Sequence, residues 1–241
     1  MSPLPEGTAA SAGEAASVDL SPAALRRRYS TLFQPNPVLY YADLLASAAL
    51  GWGAFAVALT SARFSLAWGL GIFVAIFALY RAVLFIHELS HLKRGAVPGF
   101  DVVWSLVVGF QLMVPSLMYL GSHGEHHRTN IFGTDKDPEY MPIGDWSQAR
   151  VIGSLVPLMF VPLLLIVRWS VLGPLSYAIP PLRTFVVGYM STLVINPVYK
   201  RRLPEGRMVR RWAMEEAACA LVCWAVVLAV WSGAIGTAWL F

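Results

Sequence analysis

The sequence predicts an all-α, polytopic integral membrane protein: a helical bundle with a re-entrant or interfacial segment between two histidine clusters. Three observations carry this expectation. The chain is 57% hydrophobic and only 13% charged, whereas a soluble domain carries about 25% charged residues. Several apolar runs reach the ~20 residues that a helix needs to cross a bilayer. All five histidines of the 241 residues fall in one stretch, as His87-Glu-Leu-Ser-His91 and His123-Gly-Glu-His126-His127, each at the edge of an apolar run.

Residues 1–20 are rich in Ala, Ser, Gly, Pro and Glu and read as a disordered N-terminal tail. They lack the basic-then-apolar order of a signal peptide, so insertion falls to the first transmembrane helix. Residues 21–241 read as one membrane domain. Ser21-Pro22 is an N-cap followed by proline at the first helical position. It opens a short basic helix, to about Leu32, at the cytoplasmic surface. The first span is expected at 38–59 and the second at 64–86, joined by a tight hairpin. Arg81 lies inside the second span and needs a partner, for which Asp43 in the first span is the candidate.

The segment 102–119 is long enough for one crossing. A single crossing, however, would put the two histidine clusters on opposite membrane faces. If they build one site, the segment dips in and returns or lies along the interface, and Gly109 and Pro115 supply the break. Residues 128–147 are polar and turn-rich and read as a cytoplasmic loop. Asp135, Asp137 and Glu139 within it read first as capping and turning residues. Partners or ligands of the histidine clusters are their alternative role. Two crossings fit into 149–195, reversing around 168–174, with Pro180-Pro181 kinking the return arm and Arg183 placed inside it. A last helix starts near Arg211, with Glu215 and Glu216 complementing its dipole, and runs apolar to Phe241. The expected count is five crossings. Cys219 and Cys223, four apart in that helix, read as core or lipid-facing residues rather than a disulfide pair.

Basic residues cluster beside the apolar segments: Arg26, Arg27 and Arg28; Lys93 and Arg94; Lys200, Arg201 and Arg202; Arg207, Arg210 and Arg211. This is the pattern of the positive-inside rule. It places the N-terminus and both histidine clusters on the cytoplasmic side. The net charge of +4 is thereby a topology signal, and no nucleic-acid partner is expected.

Imidazole is a borderline-soft donor that suits iron, copper and zinc. Residues i, i+3 and i+4 of a helix share a face, so HxxxH aims two imidazoles at one point and HxxHH three. Histidines at a membrane rim are costly and usually functional. The candidate metal ligands are therefore His87, His91, His123, His126 and His127. The first cluster is also HExxH, the motif in which two histidines hold zinc and the glutamate is the general base. A membrane zinc metalloprotease through this HELSH motif is the main rival, and a non-catalytic remnant the third reading. A second group of three histidines and the lack of a third-ligand motif in a later span weigh against the protease. In the metal-oxidase reading Glu88 orients an imidazole.

HxxxH followed some thirty residues later by HxxHH resembles the membrane fatty acid desaturase and hydroxylase superfamily. The run from Arg128 to Tyr140 (Arg-Thr-x-x-x-Gly-Thr-x-x-Asp-Pro-Glu-Tyr) is similar to bacterial members. The resemblance covers most of the chain from about residue 30. It implies that the five histidines are ligands of a di-iron centre. That centre would activate O2 with electrons from an external ferredoxin-, rubredoxin- or cytochrome b5-like donor. It would oxidise an unactivated C–H bond of an acyl lipid to an alkene or an alcohol. Lys93, Arg94 and Arg128 would face an acidic donor or an anionic headgroup, topology anchoring being the simpler account of Lys93 and Arg94. The family carries a third histidine box near its C-terminus. No histidine follows His127 here, so the resemblance implies a C-terminally truncated or split member.

Overall fold

The computed structural model describes residues 20–93, 95–193 and 195–236. The expected tail, apart from Leu20, lies outside the described residues, as does Arg94. Among the described residues every regular element is helical. Two compact units divide at Asn36. In the first, α1 (Pro22–Arg28) starts as expected, with Ser21 Oγ accepting from the Ala24 N–H at 3.2 Å. It ends earlier than expected, and a single tighter turn, Ser30–Phe33, follows.

The second unit opens with a hairpin of α2 (Pro37–Thr60) and α3 (Leu66–His91). Ser65 caps α3 through the Trp68 N–H at 3.2 Å. The two helices meet over small residues, among them buried Ala48, Ala58, Ala75, Ala78 and Ala82. At Gly71 an added Cβ would stand 2.9 Å from the Ala54 carbonyl oxygen and 3.0 Å from the Ala58 nitrogen. Such close backbone approach is how membrane helices pack without a hydrophobic driving force between them. The second helix continues past Ile86, so both histidines of HxxxH sit in its last two turns.

The next segment re-enters the hairpin and comes back. Helix α4 (Phe100–Trp104) runs into a wide π turn, Ser105–Gly109. Trp104 Nε1 donates to the Ala82 carbonyl at 2.9 Å, and Trp52 Nε1 donates to the Val107 carbonyl at 2.8 Å. Ala82 and Trp52 lie well inside α3 and α2 respectively, so the segment that carries Trp104 and Val107 penetrates between the two helices. It then reverses. Val114 N–H donates to the Gly109 carbonyl at 2.7 Å, and Met113 takes a positive φ of 56°. A Cβ on Gly109 would lie 2.8 Å from the Trp104 ring, so the reversal needs glycine there. A short turn, Ser116–Met118, leads to α5 (Ser122–His126). The return, rather than a crossing, brings the histidine clusters together.

The stretch 149–195 departs from expectation. Helices α6 (Gln148–Leu155), α7 (Val161–Val167) and α8 (Gly173–Ser176) are joined by irregular helical turns into one run from 148 to 176. No reversal occurs at 168–174. Arg168 does not need a watery loop, because its guanidinium is buried and bonds Glu216, Ser191 Oγ and the Met190 carbonyl. The chain turns after Tyr177 instead, and α9 (Pro180–Tyr189) is only ten residues long. Pro180 and Pro181 start that helix, where a missing N–H removes no hydrogen bond, and so do not kink it. The last helix, α10 (Arg207–Trp231), begins four residues before Arg211. Glu215 and Glu216 therefore sit in its third turn, buried, and do not serve the dipole. Glu216 accepts from Arg168, from Arg183 Nη1 at 2.7 Å and from Tyr177 Oη at 2.6 Å. Cys219 and Cys223 are buried free thiols beneath this network. Among the described residues, four helical stretches rather than five are long and apolar enough to cross a membrane.

Candidate metal centre

His87, His91, His123 and His127 each turn one ring nitrogen to a common point, and these four atoms lie within 4.8 Å of one another. His123 Nε2 is the hub, 3.1 Å from His91 Nε2 and 2.9 Å from His127 Nε2. Its other nitrogen faces the Glu139 carboxylate at 2.7 Å and the Tyr119 hydroxyl at 2.8 Å. The carboxylate can only accept, so Nδ1 carries the hydrogen and Nε2 presents a lone pair to the cluster. Lone pairs this close repel unless a proton or a cation lies between them. Metal–imidazole bonds of about 2.0–2.1 Å put neighbouring ligand nitrogens about 3 Å apart. The donor set therefore fits a first-row transition metal.

His126 stands beside this group but is not part of it. Its Nδ1–H donates to Asp137 at 2.9 and 3.0 Å, leaving Nε2 with a free lone pair. Asp137 is fully buried and also accepts from the Gly133 and Glu139 N–H groups, both at 2.8 Å. Burial would raise its carboxyl, but those two N–H groups and His126 outweigh it and hold the group below the usual carboxylate range. Burial draws His123 below the ordinary imidazole value, against the pull of Glu139. The Tyr119 hydroxyl is pushed up to about 12 by burial and then by Glu139, so it stays protonated. Metal-binding histidines usually donate their second nitrogen to a carboxylate or carbonyl, which fixes tautomer and orientation. Asp137 and Glu139 have that arrangement. Their first reading as turn residues is thus corrected: Asp137 caps its loop and orients an imidazole at once. Asp135 contributes only its carbonyl, to Asn196 Nδ2 at 2.8 Å.

Some supports carried no sequence signal. Arg201 reads as a topology anchor but is a half-buried clamp. It donates to the carbonyls of Leu117, Leu120 and Ser191, with its guanidinium 4.6 Å from the Trp212 ring centre. Glu215 grips the same turn from the other side, accepting from Ser116 Oγ at 3.0 Å and the Leu117 N–H at 2.9 Å. Together they hold the turn that launches α5. Asn196 Nδ2 also donates to the Asp137 carbonyl at 3.0 Å, and Tyr199 Oη donates to Glu125 at 2.8 Å. Leu193 and residues 195–201 strap the second histidine cluster in place. Glu88 does not orient an imidazole; it accepts from Tyr40 Oη at 3.0 Å. The expected pair of Arg81 with Asp43 is present.

Helical stretches fit to cross a bilayer, with histidines gathered where one of them ends, define an integral membrane protein with a candidate transition-metal centre. The model of the fatty acid desaturase family matches residues 63–241, and the chain belongs to that family. It is also 42% identical over 205 residues to a ceramide hydroxylase of Caulobacter vibrioides (strain NA1000 / CB15N), a match covering 85% of this chain and 58% of the relative. The chain thus spans somewhat more than half the length of that relative. No solved structure matches it.

Proposed function

We propose that this chain carries the histidine-rich core of a membrane lipid oxidase of the desaturase and hydroxylase type. The observation that carries the reading is the convergence of His87, His91, His123 and His127 on one point. We assign iron to these residues and a second iron to His126, whose Nε2 is left free by Asp137. Bound iron would supply O2 activation, with electrons from an external ferredoxin-, rubredoxin- or cytochrome b5-like donor. The protein's own part is to fix tautomers through Glu139 and Asp137 and to hold the clusters in register through Arg201 and Glu215. The similarity to a ceramide hydroxylase supports an amide-linked acyl lipid as substrate and hydroxylation over desaturation. Residues 21–241 act as one membrane domain, and the basic clusters support a cytoplasmic N-terminus and cytoplasmic histidines.

The zinc protease reading fares worse. A general base must reach the metal-bound water, whereas the Glu88 carboxylate lines the cleft beside Tyr40, whose hydroxyl it accepts from, and is not one of the groups that converge with the four imidazoles. The test is metal analysis of the detergent-purified chain, followed by mass spectrometry of lipids from cells expressing it. Bound iron, lost in His123→Ala, and a lipid product heavier by one oxygen are expected. Zinc in place of iron, or peptide cleavage abolished by Glu88→Gln, would overturn the assignment.

A further inference from the structure

We propose that the cleft between α2 and α3 beside His87 selects the polar end of the lipid, and that it takes an uncharged headgroup bearing hydroxyl or amide hydrogen-bond donors. The proposal rests on the lipid-oxidation reading above. The cleft has a volume of about 400 Å3 and its wall includes Tyr40, Asp43, Arg81, Leu84, His87 and Glu88. Histidines aside, Asp43 is the one charged residue of α2, and Arg81 and Glu88 are the two of α3. All three line this cleft. Charged side chains in membrane helices are costly and usually mark a pathway or a site. Packing inside the protein does not account for these, because the Arg81 and Asp43 side chains remain 58% and 37% exposed.

The balance of charge indicates the ligand. Among the described residues of the wall, Asp43 and Glu88 are carboxylates and Arg81 is the single cation, so acidic groups outnumber basic ones. The guanidinium is engaged by Asp43 through both Nε and Nη2, so its charge is already offset and, among the described lining residues, no unpaired cation faces a phosphate. Among the described residues Glu88 takes one hydrogen bond, from Tyr40 Oη, and a carboxylate has about four lone-pair positions. The cleft thus offers acceptors to O–H and N–H donors and repels an anionic headgroup. Geometry adds a second consequence. Glu88 follows His87 directly, and Arg81 precedes it by about 9 Å along the axis at a rise of ~1.5 Å per residue. A headgroup held here leaves the carbons next to it beside the histidines, so oxidation falls close to the polar end and not at mid-chain.

The test is equilibrium binding to the full chain, free of added metal, in phosphatidylcholine nanodiscs. The probes are a fluorescent N-acylated amino alcohol lipid and phosphatidic acid carrying the same acyl chain. The wild type is expected to bind the neutral probe at least tenfold more tightly. Glu88→Gln should shrink that ratio several-fold, and Glu88→Lys should reverse it, with monodispersity and melting temperature confirming that both variants fold. A wild type that does not discriminate, or that prefers phosphatidic acid, overturns the proposal, as does a ratio unmoved by Glu88→Lys. Binding is read without iron, so this failure leaves iron uptake and lipid oxidation untouched. A chain that selects the neutral probe but takes up no iron would sink the oxidase reading alone.

Discussion

Glu139 offers the most direct test of the metal centre, because it touches the hub histidine from outside the cluster. The His123 Nδ1–H has two neighbours, Glu139 Oε1 at 2.7 Å and Tyr119 Oη at 2.8 Å. Glu139→Leu removes the carboxylate, but the hydroxyl remains to accept from Nδ1, so the tautomer survives and the ring loses basicity. Losing such an outer partner weakens metal binding by roughly 10–100-fold, or about 1.4–2.7 kcal/mol. With Tyr119 still present, the lower end is expected for Glu139→Leu, about tenfold. Tyr119→Phe alone should change little, because the charged partner remains. The double variant frees the ring to place its hydrogen on Nε2, toward the metal, and should approach about 100-fold. Its cost thus exceeds the sum of the single ones, as expected for two groups that share one partner. The assay is titration of the purified chain with cobalt(II) or iron(II) against a competing chelator. Unchanged affinity in Glu139→Leu, or a larger loss from Tyr119→Phe than from Glu139→Leu, would refute the assignment of His123 as hub.

Three further perturbations follow from the packing. Glu216→Ala leaves Arg168 and Arg183 without their carboxylate; losing one partner of a buried ion pair destabilises by about 3–5 kcal/mol, and an unchanged melting temperature in detergent would show that the network is not what ties α8 and α9 to α10. Gly71→Ala should lower the melting temperature, since its Cβ meets backbone atoms at 2.9 and 3.0 Å, whereas Gly69→Ala, with nothing within 4 Å, should raise stability by up to about 1 kcal/mol; equal effects of the two would discount close helix approach as the reason for glycine. Asp137 contributes stability at any pH above its ordinary carboxylate value of about 3.9, because its folded-state carboxyl is held lower. That contribution fades only as the pH falls through the lower folded value, so the Asp137→Asn variant should melt below the wild type at neutral pH and approach it in strong acid.

What the sequence determined by itself is what local chemistry decides. The apolar runs, the Ser21 cap, the hairpin of α2 and α3 and the HxxxH face all follow from side chains close together in the chain, where helical periodicity sets who meets whom. The re-entrant segment was legible too, because the two histidine groups can share a site only if the chain between them returns, and Gly109 permits the reversal. The tertiary structure alone decided the partners of the charged residues. Arg168 and Arg183 read as signs of a loop or an awkward arm, yet both pair with Glu216, 48 and 33 positions away, Arg168 fully buried and Arg183 half-buried. Glu215 reads as a dipole complement and instead grips Ser116 across 99 positions. Asp137 and Glu139 read as turn residues and prove to hold imidazoles. The reason is physical: an apolar side chain needs only a water-free side, which periodicity reveals, whereas a buried charge needs one particular partner, and the packed chain alone brings the two together.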